Sequence, residues 1–302
     1  TWSSLRTSER IWTGSRDTAR QRCASATAAA FPDQMDSREF DLLVPPLLYS
    51  RLEAMTANLR TATSAALSIS PFSTLLTDAG RTKAASKIAA ARVRIPGAPR
   101  LSWAGVTTNF QRPTFTSEDG ALVLLLKQAK SIFLDRMRLA IQQREVCDHP
   151  PLFGSLERNA YMLTDFACIV ILPGILTPPF AGERYSDESL FSRIGYVVSH
   201  EFAHATSNLG YWDMDAAATL LTGYQRSTWF EAAADLGSVT ALMGLGIVSN
   251  ESLCGHVSQI WCARRNELAE SFLGPWARPW KTHPPPNVRG NLLCRFLQNY
   301  YS

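Results

Sequence analysis

The sequence predicts an α+β protein that is mostly α. Three observations carry that reading. Apolar residues recur at helical spacing through several long segments. One short apolar run, Ile169-Val170-Ile171-Leu172, is closed by Pro173-Gly174 and reads as a strand. The pentapeptide His200-Glu201-Phe202-Ala203-His204, an HExxH arrangement, lies inside one of the helical segments.

Taken in order, residues 1–35 are rich in Ser, Thr, Arg and Ala with little periodicity, and read as loosely docked or disordered. From Phe40 to Arg60, Leu48, Leu52, Met55 and Leu59 predict a helix. Asp78 to Arg94 reads as a basic, alanine-rich helix stopped by Pro96-Gly97. A loop with Pro99, Gly105 and Pro113 follows. Ser117 caps a long helix to about Cys147, with Leu122, Leu125, Leu126, Ala129, Phe133, Met137 and Ala140 on its apolar face. His149-Pro150-Pro151 ends it and marks a boundary between residues 1–150 and 151–302. Residues 158–172 read as one or two strands, with Tyr161 and Leu163 at a sheet edge. Ser186 or Asp187 caps the HExxH helix, whose buried side is Leu190, Ile194, Val197 and Val198. Asn208-Leu209-Gly210 stops it. Thr228 caps the next helix, which ends near Gly244–Gly246. Asn250 opens another, through Trp261 and Glu270. A proline-rich loop from Pro275 to Pro286 leads to a short terminal helix.

Residues four apart on a helix share a face, so His200 and His204 can offer both rings to one tetrahedral metal ion. Glu201 stands beside them, placed to act on a metal-bound water. Downstream, Glu231 and Asp235 are again four apart, after 26 intervening residues, enough for a helix to end, turn and return antiparallel. Hydrolytic zinc sites take three protein ligands and leave a position for water, and His200, His204 and Glu231 supply the three. Asp235, one turn on, is placed to accept the other ring N–H of a ligating histidine. Glu231 lies in a run of small and apolar residues, where a carboxylate needs a partner.

With 302 residues, 46% hydrophobic and 19% charged, the chain is long enough for one large domain or two and has a globular composition. Net charge is +4. Residues 1–100 carry 14 Lys/Arg against 8 Asp/Glu, and residues 101–302 carry 16 against 18. No dense basic run interleaved with aromatics is present, which argues against nucleic-acid binding. No stretch of about 18 apolar residues exists to span a membrane. The chain opens without a signal peptide or initiator methionine and is read as a processed product or a fragment. Six cysteines (Cys23, Cys147, Cys168, Cys254, Cys262, Cys294) allow fifteen full pairings. None forms a CxxC pair, so a zinc ribbon is disfavoured. Disulfides in an extracellular protein and buried free thiols both stay open.

Several segments then fall together. They are Asn159-Ala160-Tyr161, Leu172 to Phe180, Val198 to His204, Glu231 to Asp235, Trp261-Cys262, and His283-Pro284-Pro285-Pro286-Asn287-Val288-Arg289. In this order they resemble the catalytic part of the neprilysin/endothelin-converting-enzyme family of zinc metallopeptidases, over about residues 155–290. Thr82-Lys83-Ala84 with Lys87 also resembles a helix that precedes that part. The resemblance implies a thermolysin-like zincin catalytic domain, residues 151–302, with a reduced, mostly helical cap in residues 1–150. It implies one Zn²⁺ on His200, His204 and Glu231, Glu201 as general base, and Asp235 orienting His200. It further implies that Asn159 and Ala160 hold the substrate backbone, that His283 stabilises the oxyanion, and that Arg289 grips a substrate carbonyl or carboxylate. The chemistry of those side chains suits these roles. Peptide substrates cut on the N-terminal side of an apolar residue, and an extracellular or secreted location, including the ectodomain of a membrane-anchored precursor, follow from the same likeness.

The chain also departs from the family pattern. It is shorter, and the segment between His204 and Glu231 is abbreviated. Ser207 and Lys281 stand where the family has acidic residues, and a lysine there disfavours protonation of His283. Ala232 replaces an asparagine, and Cys294 sits where the family has no cysteine. Cys262 matches a disulfide-forming position whose partner falls in the poorly matched N-terminal part, with Cys23 one guess. The main expectation is a zinc endopeptidase or oligopeptidase. The alternative is a catalytically impaired zinc-binding homologue that binds peptides or a partner. A fragment that needs a missing cap to fold is a further one. An aminopeptidase is disfavoured, since no acidic motif upstream of the zinc helix suits a free amine.

Overall fold

In a computed structural model, described here for residues 40–95, 120, 123, 126, 127, 130, 147, 158–261 and 286–301, the helix expected around Leu48 becomes α1, Pro46–Ala66. Proline at its first turn suits a start whose N–H has no partner. Leu48, Leu52, Met55, Leu59, Ala62, Thr63 and Ala66 are its buried residues, a stripe at helical spacing.

Helix α2, Asp78–Ala90, is capped by Thr77, whose hydroxyl accepts the Gly80 N–H. It stops four residues short of the expected end at Arg94. Residues Arg92–Arg94 instead form strand β1. Two causes act together: Val93 is β-branched, and β1 finds a parallel partner, Arg92 opposite Cys168 and Arg94 opposite Val170. Arg94 is 5% exposed, and its Nη1 donates to the Cys147 carbonyl at 2.6 Å.

The residues around 160–171 make two strands, β2 (Ala160–Leu163) and β3 (Cys168–Ile171). They are antiparallel, with Ala160 opposite Ile171 and Leu163 opposite Cys168. The sheet order is β1-β3-β2. The central strand is buried along its whole length, as its unbroken apolar run requires.

Ser186 accepts the Ser189 N–H and opens α3, Asp187–Leu190. A π turn, Phe191–Gly195, joins it to α4, Tyr196–Ala203. In that turn the Ser192 hydroxyl donates to the Glu188 carbonyl at 2.7 Å and faces Nδ1 of His256 at 2.5 Å. Ahead of it, Arg51 of α1 holds Asp187 at 2.6 Å and the Tyr185 carbonyl at 2.8 Å. Every residue of α4 is buried, because it lies between α1, the sheet and the later helix Trp229–Leu245. It ends at Ala203, and His204–Thr206 continue as a tighter 3-10 turn before Asn208.

Helix α5 spans Met214–Leu220 and α6 spans Trp229–Leu245. Thr228 precedes α6 without capping it by side chain; its hydroxyl turns back to the Gln225 carbonyl. Gly246, at φ 64°, ends α6 in the left-handed region. Gly237 has a packing reason. A Cβ there would lie 2.7 Å from Phe72 Cζ and 2.8 Å from Ala203 Cβ, so its bare backbone lets α6 close on α4.

Helix α7 spans Asn250–Trp261, and α8 spans Pro286–Tyr301. At 16 residues, α8 is longer than the short terminal helix expected. Cys254 of α7 and Cys294 of α8 form a disulfide, as do Cys147 and Cys168. Leu126, expected on the apolar face of the Ser117–Cys147 helix, is helical but 61% exposed. The rest of that helix's pattern, residues 1–35, residues 262–270, the loop from Pro275, Cys23 and Cys262 lie outside the described residues. Among the described residues no helix is long and apolar enough to cross a membrane.

Candidate metal centre

The central helix carries the pair with which the site begins. His200 and His204 are one turn apart, with ring centroids 4.6 Å apart and planes nearly perpendicular. Helix α6 packs alongside and brings Glu231 to them. Oε2 of Glu231 is 3.2 Å from Nε2 of His200 and 3.6 Å from Nε2 of His204. One carboxylate oxygen thus faces both Nε2 atoms.

Glu201 is also close. Ligand atoms of His200, Glu201 and His204 all lie within 4.8 Å of one another, a group that could hold a metal ion. The two carboxylates stand differently. Glu201 follows His200 by one residue, about 100° round the helix from it. Glu231 comes from the opposing helix. Two ligands about 2.0–2.1 Å from one tetrahedral ion stand roughly 3.3 Å apart. The 3.2 and 3.6 Å separations between Glu231 and the rings bracket that value, so these donors fit a zinc ion.

Behind the rings lies a buried polar network. Nδ1 of His200 donates to Oδ1 of Asp235 at 2.8 Å. Asp235 is fully buried and also takes the Tyr196 hydroxyl at 2.5 Å. Arg289 of α8 donates Nε to its Oδ2 at 2.5 Å, and Nη2 to its Oδ1. Tyr196 is tied in turn to α6 through its carbonyl, which accepts the Ser238 hydroxyl at 2.8 Å. Behind the second ring, Nδ1 of His204 lies 2.9 Å from the Ser207 hydroxyl. On the far side of α4, Ser199 and Thr63 of α1 share a buried hydroxyl pair at 3.0 Å.

Electrostatics follow from these partners. Burial works against a charged His200, but its hydrogen bonds to Asp235 and Glu231 outweigh it and raise the ring to about 9. A metal ion would take the place of the Nε2 proton. Burial likewise favours a protonated Asp235, yet the Arg289 charge and the His200 and Arg289 hydrogen bonds hold it below the ordinary carboxylate range. Burial, with the Asp235 charge, pushes Tyr196 well above the usual phenol range, so it stays a donor.

The remaining residues expected at the site are placed as follows. Ala160 begins β2 and is 4% exposed, on a strand that packs against α4. The Asn159 side chain accepts the Ala160 N–H at 3.0 Å, and its carbonyl accepts the Leu172 N–H at 3.2 Å. Arg289 is 1% exposed and engaged with Asp235, so its described contacts are to the buried network. His283 and Lys281 lie outside the described residues. Tyr196 was not singled out in the sequence, although it precedes His200 by four residues and so shares its face. Sequence reasoning treated Ser207 only as a missing acid.

The fold is shared with solved zinc metalloproteases. Among solved structures, the chain is similar to the Mycobacterium tuberculosis zinc metalloprotease Zmp1 in complex with an inhibitor, at TM-score 0.63 and 18% identity, over 95% of this chain and 49% of that one. The open state of Zmp1 matches at TM-score 0.63 and 18% identity, over 95% and 50%. PepO from Lactobacillus rhamnosis HN001 matches at 0.60 and 16%, over 87% and 45%. The chain spans about half the length of these structures, and at such identities the likeness is one of fold. No protein-family model matches the chain, and no curated protein matches it in sequence.

Proposed function

We propose that the chain is a zinc-dependent peptidase of neprilysin type that hydrolyses small peptides. The observation that carries it is the single Glu231 oxygen facing Nε2 of both His200 and His204 at 3.2 and 3.6 Å, with Glu201 in the same cluster. In this reading His200, His204 and Glu231 hold one Zn²⁺. When bound, the ion supplies Lewis acidity to a water and to the scissile carbonyl.

The chain's own residues do the rest. Glu201 takes a proton from the attacking water and returns it to the leaving amine. Asp235 accepts the Nδ1 proton of His200, which leaves Nε2 with its lone pair toward the pocket. Tyr196 and Arg289 fix Asp235 in turn. Asn159, with its side-chain amide, and Ala160 at the start of β2 hold the backbone of an extended peptide. His283 would donate to the developing oxyanion. Arg289 holds Asp235 in place and grips a substrate carbonyl or carboxylate. The division into a catalytic part from residue 151 and a helical part before it is retained, with β1 contributed by the earlier part. Two disulfides suit an extracellular or secreted setting.

The test is metal content joined to turnover. Native protein is expected to hold one zinc per chain and to cut a quenched fluorescent peptide. Glu201→Gln should keep the zinc and lose turnover by about 10²–10⁴-fold, and Glu231→Gln should lose the zinc. Full zinc occupancy with no turnover in the native chain would favour a metal-bearing binding module instead. Ser207, Lys281 and the shortened cap motivate keeping that second reading.

A further inference from the structure

We propose that Ser207 is the positioning residue of His204, and that its neutral hydroxyl makes His204 the weaker arm of the metal centre. The proposal rests on the zinc-binding reading above and adds a residue to it.

Both rings present Nε2 to Glu231, so in both the Nδ1 atom faces away from the pocket. The partners there differ in kind. Nδ1 of His200 meets the Asp235 carboxylate at 2.8 Å, which is fully buried and held by Tyr196 and Arg289. Nδ1 of His204 meets the Ser207 hydroxyl at 2.9 Å. Ser207 is itself fixed, because its N–H donates to the His204 carbonyl at 2.9 Å and closes the turn.

A carboxylate only accepts, and Asp235 lies closer to Nδ1 of His200 than the other partner there, Nη2 of Arg289 at 3.3 Å, so the nearer contact selects the tautomer with the proton on Nδ1 and the lone pair on Nε2. A hydroxyl accepts or donates. When Ser207 accepts, His204 is ready to ligate. When Ser207 donates, the ring proton moves to Nε2, where it points toward Oε2 of Glu231 and blocks ligation. His204 thus has a partner that suits either tautomer equally, whereas the short contact of His200 to a buried carboxylate favours the ligating one, and metal uptake must select between the tautomers of His204. The hydroxyl also adds no negative charge to raise the basicity of the ring.

Zinc affinity of Ser207 variants tests this, by competition against a chromophoric chelator at fixed pH. Ser207→Ala is expected to bind about tenfold more weakly than native protein, Ser207→Thr to match it, and Ser207→Asp to bind about tenfold more tightly. The Ala and Thr arms compare neutral side chains, so charge alone cannot produce their difference. Cobalt-substituted protein should show a shifted visible spectrum in Ser207→Ala and a native one in Ser207→Thr, which general loosening of the fold would not produce. Melts of the metal-free variants check folding, and if Ser207→Ala does not fold, the Thr and Asp variants decide. Affinities equal within about twofold across the set, or a weaker Ser207→Asp, overturn the proposal while leaving the zinc site intact. A native chain that takes up no zinc overturns the zinc-binding reading itself, and this proposal with it.

Discussion

Asp235 and Arg289, 54 residues apart in sequence, form a buried ion pair through two hydrogen bonds. The pair joins α6 to α8 directly behind His200. Both side chains are almost wholly buried, so neither charge has water to turn to. Removing one charge leaves the other uncompensated, which typically costs about 3–5 kcal/mol.

Asp235→Asn keeps the shape and removes the charge. We expect metal-free Asp235→Asn to lose about 3 kcal/mol of stability, read by denaturant unfolding, and to bind zinc more weakly because His200 loses its basic partner. A variant as stable as the native chain would show that the Arg289 charge is met elsewhere.

The same carboxylate predicts an acid limit. Its folded pKa lies below its unfolded value near 3.9. A depressed carboxylate contributes stability that is full above the unfolded value and is lost as pH falls through the folded one. Melting temperatures of the metal-free chain should therefore drop more steeply below about pH 4 than those of Asp235→Asn. Parallel curves for the two proteins would contradict this.

Gly237 sets how closely α6 approaches α4. Gly237→Ala places a methyl under 3 Å from Phe72 and Ala203, and such overpacking costs about 1–3 kcal/mol. Glu231 rides on the same helix, so zinc affinity should fall together with the melting temperature. A stabilised variant, as helix propensity alone would give, would contradict the packing argument.

The Cys254–Cys294 bridge closes a loop with a sequence separation of 40 and pins the helix that bears Arg289. Chain entropy assigns such a loop about 4 kcal/mol. Cys254→Ser with Cys294→Ser should lower the melting temperature in non-reducing buffer, and reductant should narrow the gap to the native chain. An unchanged melt would mean that α8 docks without it.

What was legible in the sequence was periodic or local. His200 with His204, and Glu231 with Asp235, could be placed on helix faces because a four-residue interval encodes a shared face wherever the helix goes. The run at Ile169 could be read as a buried strand because it is apolar at every position. The mostly α fold class followed, and the likeness to solved zinc metalloproteases agrees with it. The failures have a common cause in long-range pairing. Strand β1 is three residues with two arginines, and it is a strand only because Cys168 to Val170 lie beside it. The meeting of Arg289 with Asp235 was likewise out of sight, since nothing in the neighbourhood of Arg289 announces a carboxylate on another helix. Cysteine pairing among six is combinatorial, and neither Cys147–Cys168 nor Cys254–Cys294 follows a spacing rule. Ser207 was a different kind of miss: it is three residues from His204, yet a serine gives no sign of which atom it will face.

The π turn between α3 and α4 holds one residue more than an α-helical path would need. The wider turn absorbs that residue, which in a regular helix would rotate one half about 100° against the other. Deleting one residue between Phe191 and Gly195 would therefore restore regular winding and leave both halves facing as they do now, with Asp187 still on Arg51. What changes is confined to the turn itself, where Ser192 meets the Glu188 carbonyl and His256. A one-codon deletion here is a local edit to the rim of the pocket, with the two rings themselves held still.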